Sequence, residues 1–114
     1  MALKISGKEI IKKVKIADSG LGRLKGLMFE DQEKFNYALV MIMPKEGQLE
    51  ASIHMMFVFF PIDILFLNNE KKVVDKVTLN PFHPNYTPKK AAKYVIELPK
   101  GQAKKVKIGD KVSW

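Results

Sequence analysis

Two histidines and one aspartate set in apolar surroundings are the side chains best suited to chemistry in this sequence. His54 and Asp63 lie within one apolar stretch, residues 53–67, and His83 lies in a proline-rich segment. A histidine can serve as a general base, a proton-sensitive donor or a metal ligand. With Asp63, the two histidines would supply a two-histidine, one-carboxylate ligand set. Because no ligand spacing such as His-x-Glu accompanies them, we predict neither a metal site nor a cofactor.

Arg23 is the only arginine and the natural partner for Asp63. A buried carboxylate without a partner is costly, and the planar guanidinium fork suits a carboxylate. We therefore predict an architectural Arg23–Asp63 pair, and we expect His54 to be a hydrogen-bonded strand residue. The alternative is an enzyme that uses His54 and Asp63 in a small pocket, with Arg23 orienting the carboxylate.

Other signatures of catalysis are missing from the sequence. It has no cysteine and no Gly-x-Ser-x-Gly elbow, and its glycines do not form a phosphate-binding loop. The proline-rich segment does carry two aromatic residues, Phe82 and Tyr86, which are suited to stacking on a sugar or a peptide. We therefore favour a non-catalytic module that binds an unknown small ligand, peptide or protein. Its predicted binding residues are His54, Asp63, Phe82, His83 and Tyr86.

The net charge of +8 is concentrated near the end of the chain, where residues 71–114 hold eleven lysines and three acidic residues. A basic surface attracts phosphates or acidic partners, whereas solvated lysines also keep strand edges from aggregating. Because one arginine is available for base contacts, we predict weak nucleic-acid or acidic-partner binding at most, without specificity. Residues 1–9 lack the apolar core of a signal peptide, so the expected location is cytoplasmic.

Residues 53–67 must be buried, because twelve of these fifteen residues are apolar. A membrane-spanning helix needs about 20 apolar residues, so we predict no membrane span. Aromatic and branched residues favour strands, and proline sits at a strand start, an edge or a bulge. The stretch therefore predicts two strands that are separated near Pro61, one ending at about Phe57 and one over Ile62–Leu67.

Alternating apolar residues and turn signals predict the remaining elements of one domain, residues 1–114. They are a hairpin over residues 3–16, a helix over residues 20–29 capped by Asp18 and Ser19, strands over residues 37–43, 50–57, 62–67, 72–79, 94–98 and 111–114, and a helical turn over residues 102–106. Seven or eight short strands predict an all-β sandwich or barrel. The predicted core comprises Val14, Ile16, Leu24, Leu27, Leu39, Val40, Ile42, Phe57, Ile64, Phe66, Val74, Val95 and Ile108.

Four fragments, taken in order and spacing, resemble one family. They are RLKGLMF (residues 23–29), HMMFVFFPIDILF (54–66), YVIELPKG (94–101) and KIGDKV (107–112). The sequence resembles the DUF192 family over about residues 8–112. The resemblance implies a mainly β, jelly-roll-like sandwich or partly open barrel with one or two short helices, and no established activity.

Individual positions match the family pattern unevenly. Arg23 matches the arginine that commonly precedes Gly-Leu-Met, and Met55, Pro61 and Asp63 match the family's Trp-Met-Lys-Asn-Thr and Pro-Leu-Asp pattern. His54 stands at the tryptophan position. Met-Phe-Val replaces Lys-Asn-Thr, so a polar site that those three residues would build is absent from this sequence.

Overall fold

The chain folds mainly into β-strands, in a computed structural model that describes the backbone of residues 1–114 and every side chain except those of Leu21 and Leu24. Over this described backbone the strands are β1 (Leu3–Ile5), β2 (Lys8–Ile11), β3 (Val14–Ala17), β4 (Ala38–Gly47), β5 (Ile62–Leu67), β6 (Val73–Leu79), β7 (Ala92–Pro99) and β8 (Val112–Ser113). They form a five-stranded sheet, in the order β3-β4-β7-β5-β6, and a three-stranded sheet, in the order β2-β1-β8. The predicted mainly β fold is confirmed, with two sheets and no closed barrel in the described chain.

The larger sheet is covered on both faces, as the interior strand β5 shows. All six residues of β5 are buried, and successive side chains point to opposite faces. Leu65 and Leu67 pack with Leu3 and Val112 of the smaller sheet; we call this side the sandwich face. Ile64 and the other alternate residues of β5 pack with residues of the 50–60 loop; we call this side the loop face.

The predicted helix near residue 20 is present but shorter than expected. Helix α1 spans Gly20–Lys25, and the Ser19 side chain caps it by accepting a hydrogen bond from the Gly22 amide. Gly26 ends the helix with φ +47°, a conformation that glycine adopts without a side-chain clash. Phe29 therefore lies outside the helix, in the turn that follows.

The predicted hairpin over residues 3–16 divides between the two sheets. β1 and β2 pair as an antiparallel hairpin around Gly7, so the turn lies where it was predicted but the second strand is residues 8–11. β3 instead pairs in parallel with β4. The alternation of apolar residues and lysines indicates a strand, but it carries no information about which strand is the partner.

The predicted strand over residues 50–57 is wrong. This segment forms turns, and Ile53 makes only an isolated bridge with Tyr86. Ile53 and Met55 are nevertheless buried on the loop face. Burial beneath a loop layer and burial in a sheet leave the same apolar signature, which explains the error.

The predicted core is partly confirmed. Leu27, Leu39, Val40, Ile64, Phe66 and Val95 are buried, and Val14, Ile42 and Val74 are partly buried. The expectation was wrong for Ile16, Phe57 and Ile108, which are exposed by 39%, 42% and 59%. Ile16 lies on an edge strand, and the other two lie in turns. Leu24 lies outside the described side chains.

Candidate functional site

The most unusual polar group of the described chain is the side chain of Glu97. It is 4% exposed, and its Oε1 atom has no hydrogen-bond partner among the described residues. Buried polar atoms normally find partners. Burial raises the pKa of Glu97 to about 8, because removal from water disfavours the charged form.

The register of the sheet places Glu97 on the loop face. Glu97 lies in β7 opposite Leu39 of β4 and Ile64 of β5, and directly paired residues share a face. The end of α1 lies against it, since a β-carbon on Gly26 would stand 3.5 Å from Glu97 Oε1. A buried acid therefore sits between apolar strands and a helix terminus.

Glu97 lines a pocket of about 150 Å³, which we call the Glu97 pocket. Its remaining lining residues are Arg23, Lys25, Gly26, Leu27, Met28, Met41, Ser52, Ile53, His54 and Val58. They come from the end of α1, from β4 and from the loop that covers the sheet. An apolar cavity of about this volume holds a molecule the size of benzene.

Arg23 is fixed in the wall of this pocket by its own backbone surroundings. Its Nη1 atom donates to the carbonyl oxygens of Asp18, at 2.6 Å, and Ile42, at 3.1 Å. Among the described contacts, Nε and Nη2 have no protein acceptor, and no carboxylate forms a salt bridge with Arg23. The guanidinium is therefore held in place at Nη1, while Nε and Nη2 keep donors that no described protein group uses.

His54, one of the predicted site residues, lines the same pocket. Its Nδ1 atom accepts a hydrogen bond from the Met56 amide at 3.2 Å. The proton of a neutral ring then resides on Nε2, which makes that atom a donor. His54 does not lie in a strand, so the expectation of a strand histidine is wrong.

Asp63 lies across the sheet from this pocket. It pairs with Leu98 and Thr78, on the sandwich face. Its Oδ1 accepts from the Thr78 hydroxyl at 2.7 Å, and its Oδ2 accepts from the amides of Gly101 and Ala103 at 2.9 and 3.0 Å. Asp63 thus fixes the turn after β7 to the sheet.

The predicted Arg23–Asp63 pair is therefore wrong. The carboxylate is satisfied by a hydroxyl and two amides, and the guanidinium lies on the loop face. The same separation keeps His54 away from Asp63, so these two side chains do not form a hydrogen-bonded acid–base pair. Asp63 instead borders a second cavity of about 340 Å³, with Lys76, Lys100 and Lys104 on its wall.

Four exposed phenylalanines lie beside the Glu97 pocket; we call Phe29, Phe57, Phe59 and Phe82 the phenylalanine cluster. Their rings make a chain of contacts, with centroids 4.9 Å apart for Phe29–Phe57, 6.1 Å for Phe57–Phe82 and 5.2 Å for Phe59–Phe82. The cluster adjoins the pocket in sequence, because Met28 and Val58 line the pocket. It exposes about 400 Å² of aromatic surface, estimated from side chains of about 200 Å² each.

Three members of the cluster hold a strained backbone. Phe29, Phe57 and Phe82 have φ values of +60°, +58° and +62°. Bulky residues rarely adopt this left-handed conformation, and each instance costs on the order of 1–3 kcal/mol. Backbone hydrogen bonds hold the three turns together, from the Phe29 amide to the Phe57 carbonyl and from the Phe82 amide to the Met55 carbonyl.

The remaining predicted site residues lie in the segment that follows β6. Phe82 belongs to the phenylalanine cluster. The Tyr86 hydroxyl donates to Asp75 Oδ2 at 2.7 Å, and its ring packs on Phe66. Burial and the Asp75 carboxylate raise the pKa of Tyr86 to about 12. The Nδ1 atom of His83 is buried without a partner among the described residues. The structure does not gather His54, Asp63 and His83, and no group of three potential metal ligands occurs among the described residues.

Sequence reasoning missed Glu97. The available signal was one acidic residue inside the apolar run Tyr94-Val-Ile-Glu-Leu, at a position that alternation assigns to a buried face. An acid at such a position requires a partner or a raised pKa. The sequence could have identified the unusual acid, but not the pocket beside it.

The comparison with known families agrees with the fragments that meet at this site. The sequence profile of DUF192, described as "Uncharacterized ACR", matches residues 1–114. This chain belongs to the DUF192 family. Three of its four family-like fragments, residues 23–29, 54–66 and 94–101, contribute side chains to the Glu97 pocket.

Relatives of this DUF192 chain occur in archaea and are named UPF0127 proteins. It is 42% identical to a UPF0127 protein of Pyrococcus furiosus over 110 residues, covering 95% of this chain and 91% of the relative. It is 48% identical to a UPF0127 protein of Pyrococcus abyssi over 104 residues, covering 90% and 86%.

A solved structure shares the fold. The crystal structure of a protein of unknown function from Novosphingobium aromaticivorans superimposes with a TM-score of 0.86 at 21% identity, covering 100% of this chain and 84% of that one. Within the described residues of the DUF192 chain, no helix has the length and apolar character needed to cross a membrane.

Proposed function

We propose that this DUF192 chain is a non-catalytic module that binds a small ligand in the Glu97 pocket. The observation that carries the proposal is that Glu97 lines this pocket while its buried Oε1 atom has no protein partner among the described residues. Leaving a buried polar atom unsatisfied costs about 1–3 kcal/mol. A ligand that supplies the missing hydrogen bond recovers that cost.

The phenylalanine cluster supports the same site. Three strained, exposed aromatic residues beside one pocket cost folding free energy, and strain of this kind concentrates at ligand clamps. The cluster's area of about 400 Å² is half of the roughly 800 Å² that each partner buries in a stable protein complex. A small ligand that extends from the pocket onto the cluster fits this area better than a protein partner does.

The enzyme alternative loses its main support. It relied on His54 and Asp63 acting together, and these residues lie on opposite faces of the sheet, where Asp63 is satisfied by Thr78, Gly101 and Ala103. A general base must reach the proton that it removes, directly or through one water. The proposed ligand-binding residues are accordingly Glu97, Arg23, His54 and Phe57, while Asp63 and Tyr86 stabilise the scaffold.

The test is a ligand titration that uses the backbone amide resonances of ¹⁵N-labelled protein. The probes are a carboxylic acid, a primary amide, an alkylammonium ion and a monosaccharide, each of no more than about ten non-hydrogen atoms. We expect at least one probe to shift the amides of Gly26, Val58 and Glu97 saturably. The control is the amide of Gly101, which lies beside the cavity on the sandwich face. Shifts confined to Gly101, or no saturable shift with any probe, would refute the proposal.

A further inference from the structure

Arg23 lines the Glu97 pocket, and its Nε and Nη2 donors have no protein acceptor among the described contacts. Arginines in partly buried settings usually pair with carboxylates, yet the salt bridges among the described residues are Lys25–Glu30 and Lys45–Glu50. The two carbonyl contacts of Nη1 hold the guanidinium still. An edge with Nε and Nη2 donors matches the two oxygens of a carboxylate, and a fork held in advance loses little entropy on binding.

The other polar groups of the pocket are also donors near neutral pH. Because burial raises the pKa of Glu97 to about 8, this acid is mostly protonated at pH 7 and has an O–H to donate. His54 offers Nε2, as described above, and Lys25 lies at the pocket wall. Tyr37, just before β4, is buried on the same face but does not line the pocket. Burial, with Glu30 and Glu97, raises the pKa of Tyr37, so it also remains protonated.

The apolar part of the lining limits what the remainder of a ligand can be. Leu27, Met28, Met41, Ile53 and Val58 form the walls between the polar groups. A volume of about 150 Å³ holds a carboxylate with a short chain. A longer apolar tail would emerge beside Met28 and Val58, where the phenylalanine cluster begins.

We propose that the ligand of this pocket is a small organic acid with an aromatic or aliphatic tail, bound through its carboxylate by Arg23 and Glu97. This inference rests on the proposed function. The Nε and Nη2 groups of the guanidinium donate to the two carboxylate oxygens, and the Glu97 hydroxyl donates to one of them. The tail stacks on Phe57 and Phe29. A ligand ammonium would instead face Arg23 and Lys25, with no ionised acid among the residues that line the pocket near neutral pH.

The experiment compares three probes with one skeleton: 3-phenylpropionate, 3-phenylpropanamide and 3-phenylpropylammonium. Binding is measured at pH 7 by isothermal titration and by amide shifts at Gly26, Val58 and Glu97. We expect the acid to bind at least about tenfold more tightly than the amide, one charge-assisted contact being worth about that factor. We expect the ammonium not to bind. Tighter binding of the amide or the ammonium would overturn the carboxylate inference and leave the proposed function standing.

Two variants test the roles of the named residues. Arg23→Lys keeps the charge but removes the fork, and we expect at least about a tenfold loss of 3-phenylpropionate affinity. Lys100→Gln removes a charge beside the other cavity and should leave the affinity unchanged. Unchanged affinity in Arg23→Lys together with a loss in Lys100→Gln would show that net charge alone attracts the acid, which would overturn the assignment.

The pH dependence gives an independent readout that does not rely on a variant at Arg23. As pH rises from 7 to 9, Glu97 ionises and repels the ligand, so the wild-type affinity should fall about tenfold. Glu97→Gln keeps a donor without titrating, and its affinity should be constant over this range. A pH profile that is identical in both proteins would overturn the role assigned to Glu97. If none of the three probes binds, the carboxylate inference is overturned, and the four-probe panel decides the proposed function separately.

Discussion

Glu97→Gln should change how the stability of this protein depends on pH. In the folded chain burial raises the pKa of Glu97 from 4.5 to about 8. Between these two values the unfolded chain has released the proton and the folded chain has kept it. The folded state then binds more protons than the unfolded state, so wild-type stability falls as pH rises through this window.

The magnitude follows from the width of the window. Each pH unit costs about 1.4 kcal/mol, so the loss relative to pH 4.5 is about 3 kcal/mol at pH 7 and about 5 kcal/mol at pH 8 and above. Glutamine has nearly the same shape and does not titrate. The stability of Glu97→Gln relative to wild type should therefore improve by about 1.4 kcal/mol for each pH unit, and level off near pH 8.

The assay is urea unfolding of both proteins at pH 5, 6, 7, 8 and 9, at constant ionic strength. Taking the difference between the proteins cancels the contributions of the other titrating groups, including His54 and His83. The pH at which the difference levels off reports the pKa of Glu97 in the folded state. A difference that is constant from pH 5 to 8 would refute the reasoning, since it would mean that Glu97 is ionised in the folded protein near neutral pH.

Three further predictions concern other parts of the molecule. Asp63→Ala should cost about 3–5 kcal/mol in chemical unfolding, because it leaves a hydroxyl and two amides without their acceptor. The losses of Asp63→Ala and Arg23→Ala should add in the double variant. A coupling energy above about 1 kcal/mol would contradict the separation of these two residues by the sheet. Phe57→Asn should change stability by no more than about 1 kcal/mol, since asparagine tolerates positive φ, yet it should weaken 3-phenylpropionate binding. Phe66→Ala, a core control, should cost about 3–5 kcal/mol in the same unfolding experiments. Residues 71–114 should give only weak nucleic-acid binding in a fluorescence anisotropy assay, and the affinity should fall steeply between about 50 and 200 mM salt. Tight, sequence-selective binding at the higher salt would show that the basic surface is specific.

The sequence predicts three neighbouring strands of the larger sheet well, β7, β5 and β6. β5 over Ile62–Leu67 matches the expectation residue for residue, and β6 and β7 differ by one or two residues at their ends. These segments are short apolar or alternating runs bounded by prolines, asparagines or glycines, and such signals are local. Residues 50–57 failed because their burial comes from packing beneath other loops, which local periodicity does not distinguish from strand burial.

The site was harder to predict, because it depends on which face of the sheet each element covers. Strand parity alone places Asp63 with Leu65 and opposite Ile64, but no local pattern shows that α1 covers the other face. Arg23 and Asp63 therefore looked like partners. Glu97 carried a readable signal as an isolated acid in an apolar strand, whereas its pocket depends on the helix end and on the loop over residues 53–58.

The pairing of β1 with β8 has a consequence for how the chain folds. Ile5 pairs with Val112, so this contact joins positions more than a hundred residues apart, and such long-range contacts form late because they close a large loop. During synthesis, β1 and β2 would remain a hairpin without its third strand, with Leu3 and Ile5 exposed to solvent, until β8 leaves the ribosome. Pulsed hydrogen exchange during refolding should show protection of the Ser6 amide, which donates to the Lys111 carbonyl, after protection of the β5 amides. Simultaneous protection would mean that the two sheets assemble in one step.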